Sequence, residues 1–278
     1  MKLTRTDFNE YLRNYQPLPH EKYDPDDRRF RLPMHYFLLN HYRLWRAASA
    51  ATPYFPSGPM TIVDLGPYPG SFLRFLRRLV PDQPSRLVGV GLMASDEFRR
   101  AMKESCGAEI LDVNLDPSND RLRAKNYPTR IPLEDRSVQF AFALEVVEHL
   151  MSPMHLLREA FRILAPRGHL LITTPNVSRI GNVIKLLSGR SNFDRLISDL
   201  DRAAEEWPPH FREYTLQEVR DLLKDAGFES AMARQFHGRH SRYHVRSPAR
   251  GLSDLAKWPF YAVPHLRDNL LVVGRKPG

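Results

Sequence analysis

A chain of 278 residues with 42% hydrophobic content can bury one sizeable core, yet its longest apolar stretches, FAFAL (140–144) and HLLITTP (169–175), fall far short of the roughly 20 residues a membrane-spanning helix needs. A single cysteine, Cys106, excludes an internal disulfide and suits a reducing compartment, and the charged N-terminal stretch lacks the apolar centre of a secretory leader, so a cytoplasmic location is expected. The net charge of +9 suits an anionic partner without choosing among nucleic acid, a phosphorylated small molecule and a membrane surface.

In chain order, residues 1 to about 58 read as an N-terminal helical extension rich in aromatic and charged residues, closed by the Pro/Gly cluster TPYFPSGP. Strand and helix signals then alternate. Apolar, β-branched runs at 61–66, 86–92, 108–113, 138–144 and 169–175 read as strands. Phe72, Phe75, Leu76 and Leu79 recur at helical spacing, as do Leu157, Ala160, Phe161 and Leu164. Ser152 followed by Pro153 is a helix start with an N-cap. A further helix opens where Thr215 and Glu218 make a capping box, and it ends at Gly227. Two last strand signals, about 230–236 and 268–275, have no patterned helix between them and are expected to pair antiparallel at an edge. This alternation argues for a mostly parallel α/β sheet covered on both faces, over residues 59–278, with insertions at 177–209 and 237–267. Seven of the fourteen residues in HGRHSRYHVRSPAR (237–250) are His or Arg, which makes the second insertion basic.

In an open α/β sheet, ligands bind beyond the carboxyl ends of the strands, and the first strand-to-helix turn is the usual place. In TIVDLGPYPG, Gly66 and Gly70 let the backbone pass close to a ligand, and the helix from about Ser71 presents free N–H groups. Asp64 at the strand end suits a ligand that brings a positive charge, such as an ammonium group.

VDLGPYPG resembles the first motif of the class I S-adenosylmethionine-dependent methyltransferases. IPLEDRSVQFAFALEVVEHL (131–150) is similar to that family's fourth-strand region and EAFRILAPRGHLLITTPN (159–176) to its fifth. HFREYTLQEVRDLLKDAGFE (210–229) resembles the segment after its acceptor-side insertion. The four occur in the family's order across residues 61 to about 275. The resemblance implies a Rossmann-like, seven-stranded, mostly parallel sheet with an antiparallel last strand, S-adenosyl-L-methionine as donor, and transfer of its methyl group. It implies cofactor contacts at Asp64, Gly66, Tyr68, Gly70, Gly91, Asp112 and Glu145.

Two positions depart from the family. Tyr68 stands where the first motif carries a glycine, between Pro67 and Pro69, which stiffen the turn. Gly91 stands where the second strand ends in an acid that holds both ribose hydroxyls, a contact worth about 1.5–3 kcal/mol. Asp96 or Glu97 can replace that acid, or can simply favour the start of the helix that Ser95 caps. Asp112, with Asn114 and Asp116 nearby, is the nearer match for a contact to the adenine amino group.

Methyl transfer from a sulfonium is an in-line displacement, so holding acceptor and methyl together is the main task. A hydroxyl acceptor also needs a general base. EVVEHL puts Glu145, Glu148 and His149 at the carboxyl edge of the sheet, with His149 the leading base and helix-start hydrogen bonding its ordinary alternative. TTPN adds Thr174 and Asn176 at the same edge. Residues 177–209 then form an expected lid, whose far end returns His210 as the second base, Tyr214, and Arg212 to pair with an anionic acceptor or with Glu213. Glu145, Glu148 and His149 lack the HExxH spacing of a zinc helix, so no metal ligands are expected.

The expected function is methylation of a small-molecule or glycan acceptor at a hydroxyl, an anionic acceptor being compatible with the charge. A nucleic-acid methyltransferase is the alternative. Against it, no NPPY or DPPY tetrapeptide is present, Cys106 precedes the third strand, and no RNA-binding module is visible. A catalytically silent scaffold member is a third reading, motivated by Gly91 and Tyr68. Trp258, Phe260 and Tyr261 in LAKWPFYAV suit peripheral membrane contact, with core or pocket packing the favoured reading.

Overall fold

The computed structural model describes residues 3–23, 34–79, 86–92, 94–193, 210–238 and 256–278. Helices α1 (Arg5–Arg13) and α2 (Tyr36–Ala51) precede the sheet. Strands β1 (Thr61–Leu65), β2 (Arg86–Gly91), β3 (Glu109–Asp112), β4 (Val138–Leu144) and β5 (Leu164–Pro175) then alternate with helices. These are α3 (Ser71–Leu79), α4 (Asp96–Cys106), α5 (Asp120–Arg123) and α6 (Pro153–Ile163). Beyond β5 come α7 (Ile180–Leu187), α8 (Leu216–Asp225), β6 (Glu229–Phe236) and β7 (Asn269–Arg275).

The seven strands form one sheet in the order β3-β2-β1-β4-β5-β7-β6. β1 pairs parallel with β2 on one side (Val63↔Val88) and with β4 on the other (Asp64↔Phe142). The connection therefore changes direction between β3 and β4, and the carboxyl ends of β1 and β4 meet at the topological switch point, where this architecture binds ligands. The last two strands do pair antiparallel, but β7 inserts between β5 and the edge strand β6 and runs antiparallel to both (Thr173↔Leu271, Ala233↔Val272).

Side chains alternate across the sheet with the period of two that a strand imposes. On one face Ile62, Phe140 and Phe142 pack with Phe72, Phe75 and Leu76 of α3 and with Phe8, Phe37, Leu44 and Ala47 of the N-terminal helices. On the other, Val63, Leu65, Ala141 and Ala143 meet Leu156, Leu157 and Ala160 of α6 and Val219 and Leu223 of α8. Asp64 shares the parity of Ile62, so its carboxyl group faces the N-terminal layer.

Thr215 caps α8 as expected, its hydroxyl accepting from the Glu218 amide while the Glu218 carboxylate accepts from the Thr215 amide. Ser152 precedes α6, but its side chain makes no capping bond; its amide donates instead to Asp116 (3.1 Å). β5 starts five residues earlier than the apolar run suggests, because α6 passes directly into Leu164, which pairs with Val138. In the two insertions, residues 194–209 and 239–255 lie outside the described residues. Trp258 is 74% exposed and Phe260 46%, so core packing does not explain these two, whereas Tyr261 is half-buried and stacks on His237. Among the described residues no helix is long and apolar enough to cross a membrane.

Candidate active site at the switch point of the sheet

At the end of β1 the carboxylate of Asp64 is 2% exposed and has no hydrogen-bond or ion-pair partner among the described residues. Burial alone pushes its pKa up to about 7. Beside it lies a cavity of about 20 Å³, room for about one water, lined by Tyr36 and Leu44 of α2 and by the turn from Gly66 to Pro69. Gly66 (φ +84°) and Gly70 (φ +90°) hold left-handed backbone. An added Cβ would fall 2.5 Å from Val146 at Gly66 and 2.3 Å from Met102 at Gly70. The chain's own packing thus requires both glycines, in addition to any need for backbone to approach a ligand.

Pro67 covers the end of β2: a Cβ at Gly91 would meet its ring at 3.2 Å, and one at Gly89 would meet it at 2.8 Å. That crowding accompanies the missing ribose acid at Gly91. Asp112 accepts from the Ala94 amide (3.2 Å) and pairs with Arg99, so it ties the loop after β2 to β3. Asp96 and Glu97 are exposed in the first turn of α4, where Ser95 caps the helix. Asp116 is buried and accepts from the Met151 and Ser152 amides, and Asn114 accepts from the Asp116 amide. Tyr68 is 51% exposed and lies against His20 and Phe98.

The N-terminal segment grips this turn. Glu21 is fully buried and accepts from the hydroxyls of Tyr15 and Ser71, from the Leu18 amide and from Arg74. His20 lies 3.0 Å from the Pro69 carbonyl through Nε2. From α2, Arg43 pairs with Glu145 (2.6 Å) and donates to the Tyr36 hydroxyl (3.1 Å). Sequence reasoning missed Tyr36, Arg43 and Glu21. Arg43 borders the stripe Phe37, Leu44, Ala47 and Ala51, and an arginine beside such a stripe was the available signal.

Beyond β4, Glu145 takes a left-handed backbone (φ +57°) while its amide donates to the Thr173 carbonyl, which turns the chain across the sheet edge. Residues Val147–His149 form one tight turn. Glu148 is completely buried; Thr174 donates to its Oε2 (2.9 Å), and its Oε1 has no partner. Burial, and then the neighbouring charge of Glu145, push the Glu148 pKa well above the usual carboxylate range. The amides of Phe211 and Arg212 donate to the Glu148 carbonyl (2.8 and 3.3 Å), which brings His210 back over this turn. The rings of His149 and His210 then meet edge to face with centroids 4.7 Å apart.

Both sequence-derived base candidates therefore share one site. Glu145 lies beside it but is occupied by Arg43. Arg212 pairs with Glu218, not with Glu213, whose carboxylate instead receives both Arg179 nitrogens at 2.8 Å and Asn182. Burial disfavours the Glu213 charge, yet hydrogen bonds from His210, Arg179 and Asn182 hold its pKa below the usual range. Asn176 donates to the carbonyls of His265 and Arg267 and so holds the loop before β7. Tyr214 is buried in the core under α8.

A mostly parallel sheet with the antiparallel β7 inserted beside β5 is the fold of the class I S-adenosylmethionine-dependent methyltransferases. The chain belongs to the methyltransferase-domain family, whose profile matches residues 39–231. It is 33% identical over 109 residues to a probable S-adenosylmethionine-dependent methyltransferase of Mycobacterium tuberculosis, a match covering 39% of this chain. The chain spans about a third of the length of the curated relatives it matches, 33% in this case. Among solved structures it resembles a Haloferax volcanii methyltransferase in complex with the Trm112 activator, with a TM-score of 0.54 and 20% identity over 86% of this chain and 92% of that one. It also resembles an S-adenosylmethionine-dependent methyltransferase of Mesorhizobium loti, at 0.53 and 19% over 86% of this chain and 100% of that one. Likeness at this identity concerns the fold.

The residues present fit one end of S-adenosylmethionine. The unpartnered Asp64 carboxylate suits its ammonium group, and the glycine turn leads from it into the buried start of α3. For the ribose hydroxyls no carboxylate is in place among the described residues at the end of β2.

Proposed function

We propose that this chain methylates a hydroxyl of a small-molecule or glycan acceptor, with the proton lost at the Glu148, His149 and His210 cluster. The observation that carries the reading is the meeting of the two imidazoles, 61 residues apart in sequence, at the edge where β1 and β4 end. When bound, S-adenosylmethionine supplies a methyl group on a sulfonium and leaves as the neutral thioether. Asp64 holds the ammonium end. Glu145, fixed by Arg43, shapes the wall at the end of β4. One imidazole accepts the hydroxyl proton as the carbon–oxygen bond forms. The cavity of about 20 Å³ is smaller than the donor, so admitting it requires the lining from α2, Tyr36 and Leu44, or the glycine turn to move. Arg179 and Arg212 lie near the cluster, each paired with a carboxylate, and an anionic acceptor would have to compete with Glu213 or Glu218 for them.

Calorimetry with S-adenosylhomocysteine, followed by donor turnover against a panel of hydroxylated acceptors, tests this. Binding to the wild type, with donor-dependent methylation lost at least about 100-fold in both His149→Ala and His210→Ala, is expected for loss of a general base. Donor binding without methylation of any hydroxyl acceptor would favour the silent reading.

A further inference from the structure

Charge balance around the two histidines leaves one acid unanswered. Glu145 is neutralised by Arg43 and Glu213 by Arg179. The Glu148 carboxylate, fully buried, has Thr174 on one oxygen and nothing on the other. An isolated buried carboxylate is costly unless it is protonated, paired or bound to a metal. Around it, one carboxylate oxygen of Glu148 and one ring nitrogen each of His149 and His210 lie within 4.8 Å of one another. Ligand atoms of a tetrahedral zinc stand about 3.3 Å apart, so the three groups lie within about 1.5 Å of ligating separation. The supports a metal ligand needs are also present. Glu213 lies 3.4 Å from Nδ1 of His210, Thr174 holds the far oxygen of Glu148, and the Phe211 and Arg212 amides lock the two loops together.

We propose that Glu148, His149 and His210 form a binding site for a divalent transition-metal ion, with zinc the best match, open to a fourth ligand on the His210 side. Two imidazoles and a carboxylate select a borderline ion over magnesium or calcium, which favour all-oxygen sites. Three protein ligands leave a position open, as in zinc sites that bind a water or a substrate oxygen. An acceptor hydroxyl bound there would release its proton to water more readily, and with the ion bound the two imidazoles would act through it in place of accepting the proton themselves. That role, though not the ligand set, rests on the methyl-transfer reading. The spacing within EVVEHL conceals the site, because its third ligand comes from beyond the acceptor-side insertion.

The test uses the untagged full chain, stripped with a chelator and titrated with zinc chloride by calorimetry, with cobalt(II) as a visible-absorption probe. One equivalent of zinc is expected to bind. His149→Ala, His210→Ala and Glu148→Gln should each weaken it at least about tenfold. His169→Asn, on β5 at the opposite end of the sheet, should not. Glu148→Gln keeps an acceptor for Thr174, so an unchanged melting curve separates lost metal from lost fold. Absence of saturable zinc binding, or binding that survives removal of both histidines, overturns the proposal. Titration of the stripped protein with S-adenosylhomocysteine separates the two readings. Donor binding without zinc binding leaves methyl transfer standing and removes the metal; zinc binding without donor binding does the reverse.

Discussion

Asp64 carries two opposed consequences of one placement. Its folded-state pKa of about 7 lies above the ordinary 3.8, so the folded chain holds a proton that the unfolded chain releases as pH rises between them. Stability therefore falls from about pH 4 to about pH 7 and stays lower above. Asp64→Asn removes the buried charge, and should stabilise the ligand-free protein by about 1–4 kcal/mol at about pH 8, the gain shrinking toward about pH 5. Denaturant midpoints at the two pH values measure this. The same substitution should weaken S-adenosylhomocysteine at least about tenfold, and wild-type affinity should decline as pH falls below about 7, where the carboxyl is protonated. A variant that is more stable and still binds normally would detach Asp64 from the donor.

Between β1 and β2 the controlling contact is Pro67 over Gly89 and Gly91. Restoring an acid alone, Gly91→Asp, places a Cβ 3.2 Å from the proline ring, so the carboxylate gains no free approach to a ribose. Gly91→Asp is expected to change S-adenosylhomocysteine affinity less than about threefold, whereas Gly91→Asp with Pro67→Ala should tighten it about tenfold, the worth of one charge-assisted contact. Calorimetry on both variants decides it. How far such elements were legible in sequence depended on range. The β1–turn–α3 unit, the Thr215–Glu218 cap and the antiparallel final pair could be read because local periodicity and capping chemistry determine them. The gathering of His149 with His210 was legible only through the resemblance in strand order. Arg212 was expected to meet an anionic acceptor or its sequence neighbour Glu213, but in the first turn of α8 Glu218 pairs with it, while Arg179 holds Glu213. The Glu21 network with Ser71 and Arg74 was invisible, since no local rule pairs residues about 50 apart.

At the scale of the whole molecule, the N-terminal helices share one apolar layer with the sheet. Phe8, Phe37, Leu44 and Ala47 close over Phe72, Phe75, Phe140 and Phe142, with Phe8 packed edge-on to Phe75 at 5.2 Å and Phe72 edge-on to Phe142 at 4.9 Å. Buried polar ties reinforce this layer, from Glu21 to Ser71 and from Arg43 to Glu145. An element bound by both apolar and charged contacts unfolds with the body it covers, because separating it would expose aromatic surface and strand buried charges together. Differential scanning calorimetry of the full chain should show one transition with equal calorimetric and van't Hoff enthalpies. Phe37→Ala should lower its stability by about 3–5 kcal/mol without splitting the transition. A separate low-temperature peak, moved by Phe37→Ala while the main peak stays, would show instead that α1 and α2 form a cover that melts on its own. In that case donor entry would require only local unfolding of the N-terminal layer.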